Sequence, residues 1–155
     1  MTFSVQLQFG DTRWRKVRGL SARLETAALR ALRRGNAPPK AALTVLLSDD
    51  AQLQSLNRDF RGKDKPTNVL SFPAAANDDN YLGDVALAYE VTREEARAAG
   101  KRLADHATHL VVHGVLHLLG FDHVTERQAR DMEPLETRIL AELGIADPYA
   151  AEALR

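Results

Sequence analysis

The sequence predicts an α+β fold, with a single mixed β-sheet of about four strands packed with about five helices. Two observations predict it. Short runs with period-two alternation or continuous Val and Leu are separated by longer segments in which apolar residues recur every three to four positions. The predicted element order, βαβαββααα, is typical of one sheet covered by helices. The chain has 155 residues, which suits one hydrophobic core, so we expect a single domain over residues 1–155.

Four segments are predicted as strands. Residues 3–9 alternate apolar and polar side chains, as a strand with one covered face does. Residues 42–48 form a continuous apolar run, which is typical of a strand buried on both faces. Residues 69–72, stopped by Pro73, and residues 81–89 are expected to complete the sheet.

Helices are predicted where apolar stripes meet start and stop signals. Asp49 or Asp50 is expected to cap the second helix. Thr92, with Glu95 three residues on, forms a capping box that predicts the start of the third. Gly120 is expected to end the fourth, because glycine readily adopts the left-handed conformation found at helix ends. The five predicted helices cover residues 13–34, 50–58, a short segment after residue 92, residues 102–119 and residues 126–143.

Composition excludes several classes of protein. The chain has no cysteine, so neither a disulfide framework nor a Cys-based zinc site is possible. No apolar stretch approaches the roughly 20 residues that span a bilayer, and the N-terminus lacks the pattern of a signal peptide. We therefore expect a cytoplasmic protein with no membrane partner.

The charges are unevenly distributed although the net charge is zero. Residues 1–65 carry 13 Lys and Arg against 6 Asp and Glu, whereas residues 66–155 carry 8 against 15. This asymmetry is compatible with a face that binds a polyanion. Taken alone, the asymmetry is better explained by solvated basic side chains on the first helix.

Three histidines predict a metal site on the fourth helix and the turn after it. His113 and His117 lie four residues apart, so their imidazoles are on one face of the helix, one turn apart. His123 would point elsewhere if the helix continued, but a break at Gly120 lets the chain fold back toward the other two. The alternative is a set of histidines that hydrogen-bond to backbone carbonyls.

Three neutral imidazoles leave a coordination position open, which is the catalytic rather than the structural type of zinc site. We expect one Zn²⁺ per chain, although other divalent metals also suit three histidines. Zinc lowers the pKa of a water ligand to about 7, so the pattern predicts a hydrolase. The spacing resembles the metzincin protease motif HExxHxxGxxH, but Gly114 stands where those proteases carry their glutamate base. A metallopeptidase is therefore the less favoured alternative.

Three blocks of the sequence resemble the YbeY family of bacterial rRNA-maturation endoribonucleases. They are HGVLHLLGFDH at residues 113–123, FRGKDKPTNVLSFP at residues 60–73, and GDV at residues 83–85. The resemblance extends over nearly the whole chain, from residue 3 to about residue 149.

The resemblance implies a single-strand-specific, metal-dependent endoribonuclease. Such an enzyme would act in 3′-end maturation of small-subunit rRNA and in ribosome quality control, with a ribosomal protein or an assembly GTPase as a further expected partner. It also implies that His113, His117 and His123 bind zinc and that Arg61 is functional.

Basic side chains around Arg61 agree with an RNA substrate. A guanidinium group matches the geometry of a phosphate and stays charged at any working pH. Lys63 and Lys65 would add to a rim that binds the phosphate backbone, and His109 is a further candidate for substrate contact. The alternative is a solvated turn. A non-catalytic, zinc-stabilised module that binds rRNA or the ribosome is the third functional hypothesis.

Overall fold

The computed structural model describes residues 2–64, 67–121 and 126–148, without the side chains of residues 126–129. In this part of the chain four strands and five α-helices follow one another in the predicted order, with a short 3₁₀ segment, Thr12–Lys16, between the first strand and the first α-helix. The strands are β1 (Ser4–Phe9), β2 (Ala42–Ser48), β3 (Val69–Pro73) and β4 (Tyr81–Ala88). The helices are α1 (Leu20–Arg34), α2 (Asp50–Arg61), α3 (Tyr89–Ala98), α4 (Leu103–Leu118) and α5 (Glu126–Glu142).

The strands form one mixed sheet in the order β1-β2-β4-β3. Strands β1, β2 and β4 are parallel, while β3 runs antiparallel to β4 and forms an edge of the sheet. The predicted α+β class, with a mixed sheet of about four strands and about five helices, is confirmed.

The main hydrophobic core lies between one face of the sheet and helices α1 and α4. Val45 and Leu47 of β2, Val85 of β4, and Val111 and Val115 of α4 belong to this core, and all five are fully buried. Burying a Val or Leu side chain stabilises the fold by about 1.5–3 kcal/mol. Helix α4 is therefore held firmly against the sheet, which fixes the position of its histidines.

Helix α2 covers only part of the opposite face of the sheet. Its buried Leu53 packs against Leu70 of β3 and Ala86 and Ala88 of β4. The predicted cap at Asp49 is confirmed, since its carboxylate accepts a hydrogen bond of 2.8 Å from the backbone N–H of Gln52. Part of this second face therefore remains open to solvent.

Two predicted helix starts are wrong. The predicted helix over residues 13–34 is divided, because Gly19 adopts a left-handed φ of 70° and α1 begins at Leu20. Helix α3 begins at Tyr89 rather than at Thr92, which is fully buried within it. The Asp50 carboxylate of α2 accepts a hydrogen bond of 3.0 Å from Val91 N–H, so a neighbouring helix supplies the cap.

Intramolecular ion pairs take up part of the basic surplus of residues 1–65. Arg23 of α1 pairs with Asp105 of α4. Arg30 and Arg34, further along α1, both pair with Glu142 of α5. These three arginines therefore join α1 to the C-terminal half, where acidic residues predominate. No helix within the described ranges is long and apolar enough to cross a bilayer.

Candidate active site

Helix α4 brings His113 and His117 together at the rim of a cleft. Both rings are half-buried, and their Nε2 atoms lie 2.9 Å apart. Two bare nitrogen lone pairs repel at that distance, so the pair requires a shared proton or a shared cation. Imidazole nitrogens in this arrangement fit a borderline divalent metal such as Zn²⁺.

The helix ends as predicted, immediately beyond this pair. Gly120 has a φ of 98°, in the left-handed region that favours glycine. Gly120 N–H donates to the His117 carbonyl and Phe121 N–H to the Leu116 carbonyl, both at 3.0 Å. This Schellman arrangement turns the chain sharply after Leu119. His123, the third predicted ligand, lies outside the described residues.

A buried carboxylate from α5 holds His113 from the other side. Glu136 is 0% exposed, and its Oε1 lies 2.7 Å from His113 Nδ1. Its Oε2 lies 2.9 Å from His109 Nε2. Burial raises the pKa of Glu136, but the hydrogen bonds from His109 and His113 outweigh it and lower the pKa to about 2.

The ionised Glu136 determines how His113 presents its second nitrogen. A carboxylate can only accept hydrogen bonds, so His113 Nδ1 carries the proton and donates it. The Nε2 atom of a neutral His113 then has a lone pair directed toward His117. A carboxylate behind a histidine in this way is a recurrent arrangement around metal ligands, because it fixes the ring and raises its basicity.

A second grouping of possible ligands shares His113. Atoms of His109, His113 and Glu136 that can bind metal all lie within 4.8 Å of one another. In this grouping the carboxylate is already hydrogen-bonded to both rings. The two groupings involve different nitrogen atoms of His113: Nε2 faces the cleft and His117, whereas Nδ1 faces the buried Glu136.

Arg61 lies at the last position of α2 and lines the same cleft as the two histidines. Gly62, with a φ of 70°, ends the helix and leaves Arg61 exposed at its terminus. The cleft has a volume of about 640 Å³. Its lining comprises Arg61, Thr67, Asn68, Val69, Ser71, Pro73, His113, His117, Gly120 and Phe121.

The other predicted substrate-binding residues are placed differently. Lys63 is exposed just beyond Arg61, and Lys65 lies outside the described residues. His109 lines a smaller neighbouring cleft of about 230 Å³ with His106 and Glu95, and not the cleft of Arg61. The substrate roles of these residues stay predictions.

Gly114 lies between the histidines and packs against the sheet. A Cβ atom at this position would lie 2.6 Å from Val85 Cγ1, closer than real side chains come. The Gly114 carbonyl also accepts a hydrogen bond of 3.0 Å from Ser71 Oγ of β3. A glutamate base of the metzincin kind is therefore excluded at residue 114 by the close contact between α4 and β4.

Glu136 was missed by the sequence analysis, although the sequence holds a signal for it. Met132, Ile139 and Leu140 form the buried stripe of α5, and Glu136 lies on that stripe, four residues from Met132 and from Leu140. A charged residue on an apolar helical stripe is almost never fully buried unless it is paired. Its partners could not be read from the sequence, since they lie on another helix.

The α+β fold, the histidine pair near the end of α4 and Arg61 in the same cleft together define a candidate metal-dependent hydrolase. The family model described as endoribonuclease YbeY matches residues 11–144. The chain belongs to this family.

Relatives in the same family match most of the chain. An endoribonuclease YbeY of Chelativorans sp. is 52% identical over 139 residues, which cover 86% of this chain and 83% of the relative. That of Ruegeria pomeroyi is 43% identical and covers 98% of this chain and 100% of the relative. The solution structure of a Thermotoga maritima protein aligns with a TM-score of 0.60 at 25% identity, covering 90% of this chain and 88% of that one.

Proposed function

We propose that this protein is a metal-dependent endoribonuclease that cuts single-stranded RNA in the cleft between α2, β3 and α4. One observation carries the proposal: the His113–His117 pair and Arg61 line the same cleft, although Arg61 and His113 are 52 positions apart in the sequence. A metal ion and a positively charged side chain both stabilise the negative charge that develops on a phosphodiester during hydrolysis.

The proposed metal is one Zn²⁺ ion held by His113, His117 and His123. The Nε2 atoms of His113 and His117 already face each other at the cleft, where solvent and substrate can reach them. The alternative grouping around Glu136 is less suitable, because its carboxylate is fully buried and a catalytic ion needs an open position. In this proposal Glu136 positions His113, and His109 contacts the other oxygen of Glu136 without binding the metal.

Arg61 is the proposed site for the scissile phosphate. Among the described residues, no carboxylate lies within ion-pairing distance of its guanidinium group. A free, exposed guanidinium can form a bidentate contact with phosphate oxygens and stabilise negative charge that develops on them. Lys63, exposed just beyond Arg61, adds a second positive charge, so RNA binding is expected to weaken as salt rises, and Lys65 stays a predicted contact outside the described residues.

The residues of the chain divide the work of the reaction between binding and orientation. Arg61 holds the phosphodiester, Glu136 keeps the proton on His113 Nδ1, and the fixed α4 helix prevents the two imidazoles from drifting apart. A bound Zn²⁺ ion supplies a Lewis acid that stabilises charge on the phosphoryl group.

The biological substrate proposed is the single-stranded 3′ region of small-subunit rRNA, with a ribosomal protein or an assembly GTPase as a further partner. The proposed location is the cytoplasm. That residues 1–155 form a single domain also stays a prediction. The proposed substrate and partners rest on the sequence resemblance and on the family to which the chain belongs, whereas the location and the single domain rest on composition and length.

The test combines RNA cleavage with metal analysis of the purified protein. Wild type should cut a single-stranded RNA, leave a fully paired duplex intact and contain about one zinc ion per chain. His117→Ala should lose both the zinc and the cleavage while retaining the circular dichroism spectrum of the folded protein. His106→Gln is the matched control, since His106 lies on the same helix and pairs with Glu95 instead.

A further variant separates the two possible ligand groupings. His109→Ala should retain zinc if the ion lies between His113 and His117. Zinc lost from His109→Ala but retained by His117→Ala would place the ion at the buried carboxylate instead. Cleavage by His117→Ala at the wild-type rate would refute the proposed function.

A further inference from the structure

A second cleft of about 790 Å³ opens on the face of the sheet that α2 only partly covers. It adjoins the candidate active site across the edge strand β3, and Arg61, Ser71 and Pro73 line both clefts. An extended ligand that follows this edge of the sheet would therefore pass from one cleft to the other at Arg61. Neither His113 nor His117 lines the second cleft.

An exposed aromatic ring forms one wall of this second cleft. Phe60 is 70% exposed and is the one large apolar side chain that lies exposed in the described part of the chain. Its ring packs edge-on against Phe72 of β3, with centroids 5.6 Å apart and an angle of 64° between the planes. This contact holds the Phe60 ring in place but leaves a face available to a ligand.

Hydrogen-bonding groups lie on the floor of the cleft beside this ring. Asp84 of β4 is the register partner of Phe72, so its carboxylate lies next to the aromatic pair on the same face. The Tyr81 hydroxyl contacts both Asp84 Oδ1 and Thr44 Oγ1, the latter at 2.8 Å, which orients the carboxylate. The Asp84 carboxylate repels a phosphate but accepts hydrogen bonds from N–H donors, such as those on the edge of a nucleobase.

We propose that this second cleft binds one nucleobase of the RNA substrate, next to the phosphate held by Arg61. The base stacks on Phe60 and directs its N–H groups toward Asp84. Guanine fits best, because its Watson–Crick edge offers two adjacent donors to one carboxylate. The inference rests on the proposed endoribonuclease function and adds to it a subsite that selects the base beside the cut.

The continuity of the two clefts favours RNA over a protein as the occupant. Arg61 lies beside Phe60 in the sequence and lines both clefts, so one phosphate at Arg61 places the adjoining nucleotide at the ring. Stacking on an aromatic side chain is the usual way in which proteins hold single-stranded RNA. A base that has to enter this cleft must be unpaired, which agrees with a preference for single strands.

The experiment uses the full-length, zinc-loaded protein and a short single-stranded RNA with one mapped cleavage site. Phe60→Ala should raise KM about fivefold or more, as expected for the loss of one stacked base, with kcat within about twofold. Phe60→Tyr should behave as wild type, and Phe60→Leu, which keeps an apolar side chain without a ring, should behave as Phe60→Ala. Zinc content should be unchanged and the protein should stay folded in all three variants, since the Phe60 side chain is 70% exposed and its ring contact is with Phe72.

Substrates altered at one nucleotide provide the decisive comparison. An abasic nucleotide on one side of the cleavage site should raise the wild-type KM as much as Phe60→Ala does, and should have no further effect on that variant. Guanine at the same position should be favoured over the other bases about fivefold or more, and Asp84→Asn should abolish this preference.

The outcomes separate this inference from the proposed function. If wild type fails to cut RNA, both fall. If wild type cuts RNA but Phe60→Ala cuts it equally well, or if the abasic substitution adds fully to Phe60→Ala, only the base-binding subsite is refuted. Loss of binding to a ribosomal protein in that second case would assign the cleft to a protein partner instead. A guanine preference that survives in Asp84→Asn overturns the role of Asp84.

Discussion

Replacing the buried carboxylate by its amide, Glu136→Gln, tests whether α5 orients the metal ligands of α4. The carboxylate accepts two hydrogen bonds, of 2.7 Å from His113 Nδ1 and 2.9 Å from His109 Nε2. A glutamine of the same shape offers one acceptor and one donor in place of two acceptors. One of the two histidines must therefore change its tautomer or lose its partner.

The consequence for metal binding follows from the tautomer of His113. When the amide NH₂ faces Nδ1, the proton of the ring moves to Nε2, where it blocks the lone pair directed toward His117. When the amide is rotated instead, its uncharged oxygen accepts from Nδ1 more weakly than the carboxylate does, so His113 Nε2 becomes a poorer metal ligand, and His109 loses its acceptor. Loss of such a supporting contact typically weakens metal binding 10- to 100-fold, which corresponds to about 1.4–2.7 kcal/mol.

The assay is a competition titration of zinc affinity against a chelating dye. Asp131→Asn, the same chemical change at an exposed position of α5, is the matched control and should bind zinc as wild type does. Equal zinc affinity in Glu136→Gln, Asp131→Asn and wild type would refute an orienting role for Glu136. A loss far beyond 100-fold, with zinc retained by His117→Ala, would instead make Glu136 a ligand.

Three further predictions concern the helix, the turn and the cleft. Gly114→Ala should lower the free energy of unfolding by up to about 2 kcal/mol, since overpacking against Val85 outweighs the gain in helix propensity. Val85→Ala should lower this free energy less in the Gly114→Ala background than in wild type, because the smaller side chain relieves the overpacking. Free energies of unfolding, measured by denaturation, that are strictly additive in the double variant would contradict this contact. Gly120→Ala should lower the free energy of unfolding by about 1–2 kcal/mol and weaken zinc binding, because the backbone φ of 98° at this position strains any residue with a Cβ atom. An unchanged melting temperature and zinc affinity would exclude such strain. Arg61→Glu should abolish RNA binding in a filter assay with the zinc content unchanged, and an RNA affinity equal to that of wild type would remove Arg61 from the site.

Most of the fold was predictable because its elements depend on local patterns. Apolar alternation, the buried run of β2 and the stop at Gly120 each reflect a preference that nearby residues impose on the backbone. The predictions that failed depended on contacts between elements. Helix α3 begins at Tyr89 because Asp50 of another helix accepts the Val91 N–H, and no pattern around Thr92 contains that information.

The sequence by itself determined the mixed α+β fold, the histidine pair on one face of α4 and the turn that follows it. These features depend on spacing along one element, since residues four apart on a helix lie on one face wherever the helix packs. Only the tertiary structure decided that Glu136 lies behind His113, that Arg61 lines the cleft of the histidines and that Phe60 lines the adjoining cleft. Such neighbours come from distant parts of the chain, and their proximity depends on how α2, α4 and α5 pack against the sheet.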